Sequence, residues 1–211
     1  MTPSGGSQIR QVLVLINPRS GLPKPFLSMR QSLDRYWDRD GVDLTYQFTQ
    51  SASDGISKVR RAIDRGVDAI LVAGGDGTVS SVGRMLIGTD VCLGVIPSGS
   101  GNGFARHFGL PLRAAAAVRA LASAEIQTMD AGMVNGVPFL VTSSMAWDAS
   151  LVKTFDQLPI RGVLPYVFAG FHQFFHYVPQ RVVIEVDGRE KLEFPDPLVL
   201  TVANLSEYGG G

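Results

Sequence analysis

Disulfide bonds are excluded at the outset. Of 211 residues only Cys92 is a cysteine, so no intrachain bridge can form and burial of apolar side chains has to hold the fold. That thiol lies in the apolar run 91–96, which suits a reducing compartment, and the cytoplasm is the expected location. Net charge is also missing: Lys and Arg number 19, Asp and Glu number 19, and no overall field gathers nucleic acid or an anionic membrane. No nucleic-acid partner is expected, and any lipid contact has to come from a local apolar surface. Residues 1–8 lack the basic start and apolar stretch of a signal peptide and read as a flexible tail. The most membrane-like segment, 162–178, is short for a span and is interrupted by Pro165, His172, Gln173 and His176. A soluble protein, peripheral to a membrane at most, is expected. Two common nucleotide signatures are absent as well. No Gly-x4-Gly-Lys-Ser/Thr occurs, and no Gly-x-Gly-x-x-Gly follows the first apolar run.

What is present is a hydrophobic content of 45%, enough for one good core or for one and part of a second. Residues 12–16 are branched and leucine residues ending at Asn17-Pro18, as in a strand buried on both faces. Phe26, Met29, Leu33, Tyr36 and Trp37 then recur at helical spacing before Gly41. The alternation repeats: a strand over 44–49, a helix over 54–65 with Ile56, Val59 and Ile63 on one face, and a strand over 69–73. A helix after Asp76 would bury Val79, Val82 and Leu86, and 91–96 reads as a fourth strand. This order predicts an α/β domain with a mostly parallel sheet flanked by helices. Two helices follow, a short one through Phe108 and an alanine-rich one over 112–124. Beyond them the pattern changes to strands at 129–134, 137–143, 181–186, 191–194 and 199–203, with Asp187-Gly188 as a hairpin turn and a helix inserted over about 165–177. The predicted organisation is therefore a tail over 1–8, an α/β domain over 9–128, and part of an antiparallel β domain over 129–211.

Chemistry concentrates in three glycine-rich turns, each following a predicted strand. The sharpest is Gly74-Gly75-Asp76-Gly77-Thr78, between strand and helix, where glycines admit a ligand close to the backbone and free N–H groups favour a phosphate. Asn17-Pro18-Arg19-Ser20-Gly21 follows the first strand, and Pro97-Ser98-Gly99-Ser100-Gly101-Asn102 follows the fourth. One such turn alone is as readily a tight connection that binds nothing. Three on the carboxyl edge of an open parallel sheet describe a phosphate or nucleotide site.

In this order and at these separations, the three turns, the last continuing as Gly103-Phe104-Ala105-Arg106, resemble the diacylglycerol kinase catalytic domain family, which includes sphingosine, ceramide and bacterial lipid kinases. The resemblance runs from about Val12 to the end of the sequence. It implies a nucleotide domain like that of NAD kinases and phosphofructokinases, which share the Gly-Gly-Asp-Gly element. It also implies ATP as phosphoryl donor, Mg2+ as its companion and a lipid with a free hydroxyl as acceptor. Residue by residue, the resemblance assigns ATP to Asn17, Pro18, Arg19, Ser20 and Gly21, to Thr49, to Gly74, Gly75, Asp76, Gly77, Thr78, Val79 and Ser80, and to Gly99, Ser100, Gly101 and Asn102, with Arg106 as a positive partner. Gly103 stands where the commoner family form has an acidic residue after the asparagine.

Phosphoryl transfer needs positioning, charge neutralisation and a carboxylate for metal or proton. Asp76 is the best-placed candidate for the catalytic role; its plain alternative is the N-cap of the following helix. Asp148, in Ala146-Trp147-Asp148-Ala149, resembles the family's Gly-Phe-Asp-Ala segment and is a candidate for the acceptor's polar head, or else a strand-end carboxylate. The aromatic helix with Tyr166, Phe168, Phe171, Phe174, Phe175 and Tyr177 is read as core, its surplus able to line an acyl pocket. His172 and His176 share a helix face but have no third ligand, so no protein metal site is expected there. His107 reads as a helix-end residue. The resemblance further implies a general base in a late Asp-Gly motif that is not found, so a truncated form that binds nucleotide with little turnover is expected. An NAD kinase-like enzyme and a non-catalytic nucleotide-binding module are the alternatives. Oligomeric state is left open, although an unfinished antiparallel sheet would expose an edge that invites pairing.

Overall fold

The structure, a computed structural model, describes residues 9–20, 26–37, 41–146, 181–186, 190–197 and 199–206. Their contacts divide into two units: one runs to Val141 and takes in residues 204–206 again, and the other is Thr142–Ala203.

In the first unit, strand β1 (Gln11–Ile16) leads to helix α1 (Phe26–Tyr36), β2 (Asp43–Phe48), α2 (Ala52–Asp64), β3 (Ala69–Gly74), α3 (Asp76–Leu86) and β4 (Cys92–Pro97). The four strands pair in parallel in the order β2-β1-β3-β4, with Val14 opposite Leu71 and Gly74 opposite Pro97. Short helix α4 (Gly103–His107) and α5 (Ala114–Leu121) follow. This is the expected parallel sheet flanked by helices. Parallel strands buried on both faces need apolar residues without alternation, and Val12 to Val14 and Ile70 to Val72 meet that need. One face packs Leu13, Leu15, Ile70 and Val72 against Val59, Val79 and Val82 of α2 and α3. The other packs Val12, Val14 and Leu71 against Met29, Leu33 and Trp37 and against Val118 of α5. The buried Trp37 indole also donates to the Val118 carbonyl at 3.0 Å, so its one polar atom is satisfied.

Strand β5 (Gly132–Val134) and β6 (Val137–Phe139) close a hairpin through Asn135 and Gly136, both at positive φ, as a two-residue turn requires. Here the predicted strands 129–134 and 137–143 are longer than those formed. Asn204 accounts for both breaks. Its side-chain amide donates to the carbonyls of Asp130 at 2.8 Å and Leu140 at 2.9 Å, while its backbone N–H and that of Leu205 both donate to Val141. The Asp130 and Leu140 carbonyls thereby bond a side chain.

The second unit holds antiparallel pairs. Strand β7 (Thr142–Ala146) pairs with β10 (Val199–Ala203), and β8 (Val182–Val186) pairs with β9 (Glu190–Phe194). Exposed ion pairs Arg181–Glu193 and Lys191–Glu185 decorate the latter and add little stability. The predicted turn at Asp187-Gly188 and the helix near 165–177 lie outside the described residues.

At the opposite end of the parallel sheet, Asp68 fixes the entry of β1. Its carboxylate accepts from the backbone N–H groups of Gln11 and Arg10, each at 2.8 Å, and these two donors hold its pKa below the usual value. The depressed folded pKa makes this contribution present above the ordinary aspartate value of about 4 and lost as pH falls through the folded value. Asp68→Asn should therefore lower the melting midpoint at pH 7 by roughly 2–4 °C. The gap to the parent should close as the parent's carboxyl protonates in acid, which parallel melts across pH would read.

Candidate functional site

The carboxyl ends of β1, β3 and β4 deliver the three glycine-rich turns to one sheet edge, and the described residues are bonded across all three. From the first turn, Asn17 continues the ladder by donating its backbone N–H to Ala73 at 2.9 Å. Its side-chain oxygen accepts from the Arg19 N–H at 3.0 Å, a local Asx arrangement, and its amide donates to the Thr78 hydroxyl at 2.8 Å. The first turn is thereby tied to the second. Gly21 lies outside the described residues.

The second turn touches the third through backbone alone. A Cβ built on Gly99 would stand 2.6 Å from the Gly75 Cα, and one built on Gly75 would stand 3.1 Å from the Gly99 Cα. Gly99 has no room for a side chain there, and Gly75 has little. Ser98 N–H donates to the Gly74 carbonyl at 3.1 Å, extending the β3–β4 ladder into the turns. Asn102, in the left-handed region at φ 56, folds its side chain back on Gly99, accepting from its N–H at 2.9 Å and donating to its carbonyl at 2.8 Å. Arg106 donates from Nε to the Gly101 carbonyl at 3.0 Å, which steers an exposed guanidinium along the third turn.

Asp76 is not the helix cap. Gly75 holds that position, and its carbonyl accepts from the N–H groups of Thr78 and Val79. The Asp76 carboxylate instead accepts from the Phe104 N–H at 3.2 Å, with Oδ1, so the carboxylate at the start of α3 braces the start of α4. Among residues 17–21, 74–80 and 97–106 it is the sole acid. Val79 is 1% exposed and its side chain belongs to the core, whereas Ser100 and Arg106 face solvent.

Beside the turns lies a pocket of about 280 Å³. It is lined by five of the sequence candidates, Asn17, Arg19, Thr49, Gly77 and Thr78, and Leu15, Ile56 and Val82 give it an apolar wall. Thr49 is a buried polar residue, 7% exposed, whose hydroxyl has no protein partner among the described residues. Its backbone N–H donates to Ile16 at 2.8 Å, which continues β1–β2 pairing into the site.

One wall was not foreseen. Gln50, Ser51, Gly55 and Ser81 also line the pocket, and the first three belong to the entry of α2. Ser51 caps that helix by accepting from Asp54 N–H at 3.1 Å. Asp54 in turn accepts from Lys58 Nζ at 2.6 Å and from Gln50 N–H at 2.9 Å, and Lys58 and then Gln50 hold its pKa below the ordinary value. The legible signal was the Ser-x-x-Asp capping pattern, with a glycine just inside the helix. Asp148, His172 and His176 lie outside the described residues.

Comparison with known proteins follows the same outline. Residues 11–134 match the model of the diacylglycerol kinase catalytic domain. A diacylglycerol kinase of Mycobacterium tuberculosis is 30% identical over 97% of this chain and 68% of its own length. One from Bacillus subtilis is 29% identical over 96% of this chain and 67% of its length. A crystal structure titled as a putative diacylglycerol kinase from Bacillus anthracis superposes with a TM-score of 0.73 at 23% identity, covering 95% of this chain and 68% of that one. The chain thus spans about two thirds of the length of these relatives. With its matched segment holding all three turns and their cross-bonds, the chain belongs to the diacylglycerol kinase catalytic domain family.

Proposed function

We propose that this chain is the nucleotide-binding part, with a portion of the acceptor part, of an ATP-dependent lipid kinase. The reaction moves the γ-phosphoryl group of ATP to a hydroxyl of a diacylglycerol-like or sphingosine-like lipid. The observation that carries this reading is the side-chain-free contact between Gly75 and Gly99 beside the Thr49 pocket. Such a contact lets a polyphosphate approach the main chain at the start of α3 without meeting a side chain, and family membership supplies the reaction class. The names of the relatives, diacylglycerol kinase and probable lipid kinase, support a lipid acceptor. Residues 9–128 would form the nucleotide domain and 129–211 the lipid-side domain.

The chain's own residues divide the work. Leu15, Ile56 and Val82 offer an apolar wall to the purine, while the buried Thr49 hydroxyl, without a protein partner among the described residues, awaits a polar atom of the ligand. Asn17 and Thr78, already bonded, hold the first two turns at fixed separation against the phosphates. The exposed Ser100 hydroxyl would donate to a phosphate of the bound nucleotide, and the exposed Arg106 would offset charge spread over the transferring oxygens. Asp76 keeps one oxygen on Phe104 and leaves the other for Mg2+. Mg2+ would arrive on the nucleotide and be held by one carboxylate, phosphates and water. Mg2+ so bound would offset phosphate charge. Asp148 is proposed to read the acceptor's polar head.

No helix among the described residues is long and apolar enough to cross a membrane. Access to the lipid is proposed to be by peripheral contact from the cytoplasm.

Two measurements test this. Incubated with ATP and diacylglycerol, a sphingoid base or NAD, the full-length protein should phosphorylate a lipid; phosphorylation of NAD alone would overturn the proposal. Asp76→Asn keeps an oxygen for the Phe104 N–H but removes the charge, so the fold should persist while turnover falls by roughly 10²-fold or more. Gly75→Val wedges the second turn from the third and should abolish ADP binding in a calorimetric titration. Unchanged nucleotide affinity and turnover in both variants would remove the central turn from the site.

A further inference from the structure

We infer that His107 is a positioning residue for the third turn, and that residues 204–206 act through it as a strut setting nucleotide affinity. The inference rests on the nucleotide reading above and adds to it a control point outside the three turns. The chain returns to the first unit at Asn204. There Leu205, 6% exposed, enters the core cluster that contains Phe104 and Ala105 of α4, with Phe108 packed against it. The return is also fastened by polar contacts. His107 Nδ1 accepts from the Ser206 backbone N–H at 3.2 Å and lies 2.9 Å from its hydroxyl, 99 residues away in sequence.

Helix α4 is only five residues long, too short to fix its own orientation. Its N-terminal end is gripped by Asp76 through Phe104 N–H and by Arg106 through Gly101. Its C-terminal end is gripped by Ser206 and covered by Leu205. A displacement at one end of so short an element is passed to the other, and the other end carries Ser100 to Asn102. Of these contacts, the Asp76, Arg106 and Asn102 bonds lie within the turns themselves. The His107 bond does not, and its ring packs edge-on against Phe108, so it acts on the site through α4.

The test is a double-mutant cycle on ADP affinity in the full-length protein, with His107→Ala and Ser100→Ala. If His107 acts through the third turn, His107→Ala alone should raise the ADP dissociation constant by roughly five-fold, about the worth of one hydrogen bond. In the Ser100→Ala background it should add less than two-fold, because the turn it positions no longer offers that contact. His107→Asn supplies an oxygen that accepts the Ser206 N–H and should restore the parent affinity. In His107→Ala the KM for ATP should rise by the same factor as the ADP dissociation constant, with the KM for lipid unmoved. Additive losses in the cycle, failure of the asparagine to rescue, or unchanged affinity in His107→Ala would overturn the inference. A parent protein that binds no ADP would overturn the nucleotide reading itself, and the inference with it.

Discussion

The approach of two bare Cα atoms, Gly75 and Gly99, is the constraint on which the site is built. A methyl group on Gly99 would collide with the Gly75 backbone, and one on Gly75 would press on the Gly99 Cα at 3.1 Å. The two turns can meet because β3 and β4 are adjacent and parallel in register up to Gly74 and Pro97, so their ends emerge side by side. Everything else at the edge works to preserve that approach. Ser98 extends the ladder one residue further, Asn102 closes the third turn on Gly99, and Asp76 reaches across to the start of α4. The first turn joins through Asn17 and Thr78. A phosphate-binding floor made of main chain is rigid only if its glycines are held from outside, since glycine itself imposes no conformation. The polar side chains of these turns therefore have structural partners in addition to any ligand.

Much of this was legible in the residues. The unbroken apolar runs at Val12 and Ile70 announced strands covered on both faces, and the alternation of those runs with helical periodicity announced the parallel order. The turns were legible because glycine, asparagine and serine gathered where each run stopped. Their mutual contact was not, since adjacency of β3 to β4 and of β1 to β3 is a property of the sheet order. Asp76 was read with a helix cap as its alternative because short acidic residues at helix starts usually cap their own helix. Here Gly75 occupies the cap and the carboxylate serves a neighbouring helix, a tertiary demand that overrides the local one.

The pocket wall from Gln50 to Gly55 and the early end of the strand before Val141 share a different cause. Both depend on side chains bonding backbone at long or unpredictable range. Ser51 and Asp54 organise the α2 entry locally, and a capping pattern is visible in the sequence once sought. Asn204 is 64 residues from Leu140 and 74 from Asp130, and no local pattern marks an asparagine that will take both carbonyls. The Asn135-Gly136 turn, by contrast, is an ordinary hairpin signal that sat between the two predicted strands.

Because Leu205 enters a core with Phe104 and Ala105, synthesised about 100 residues earlier, the order of emergence from the ribosome matters. At about 5–20 residues per second, α4 waits roughly 5–20 s for the side chain that covers it. During that interval the four-stranded sheet can already pair, since its strands lie within residues 11–97. The nascent domain therefore holds a nearly finished sheet with one apolar flank open around Phe104. That is the stage at which a chaperone, or an early encounter with nucleotide, would have most to stabilise.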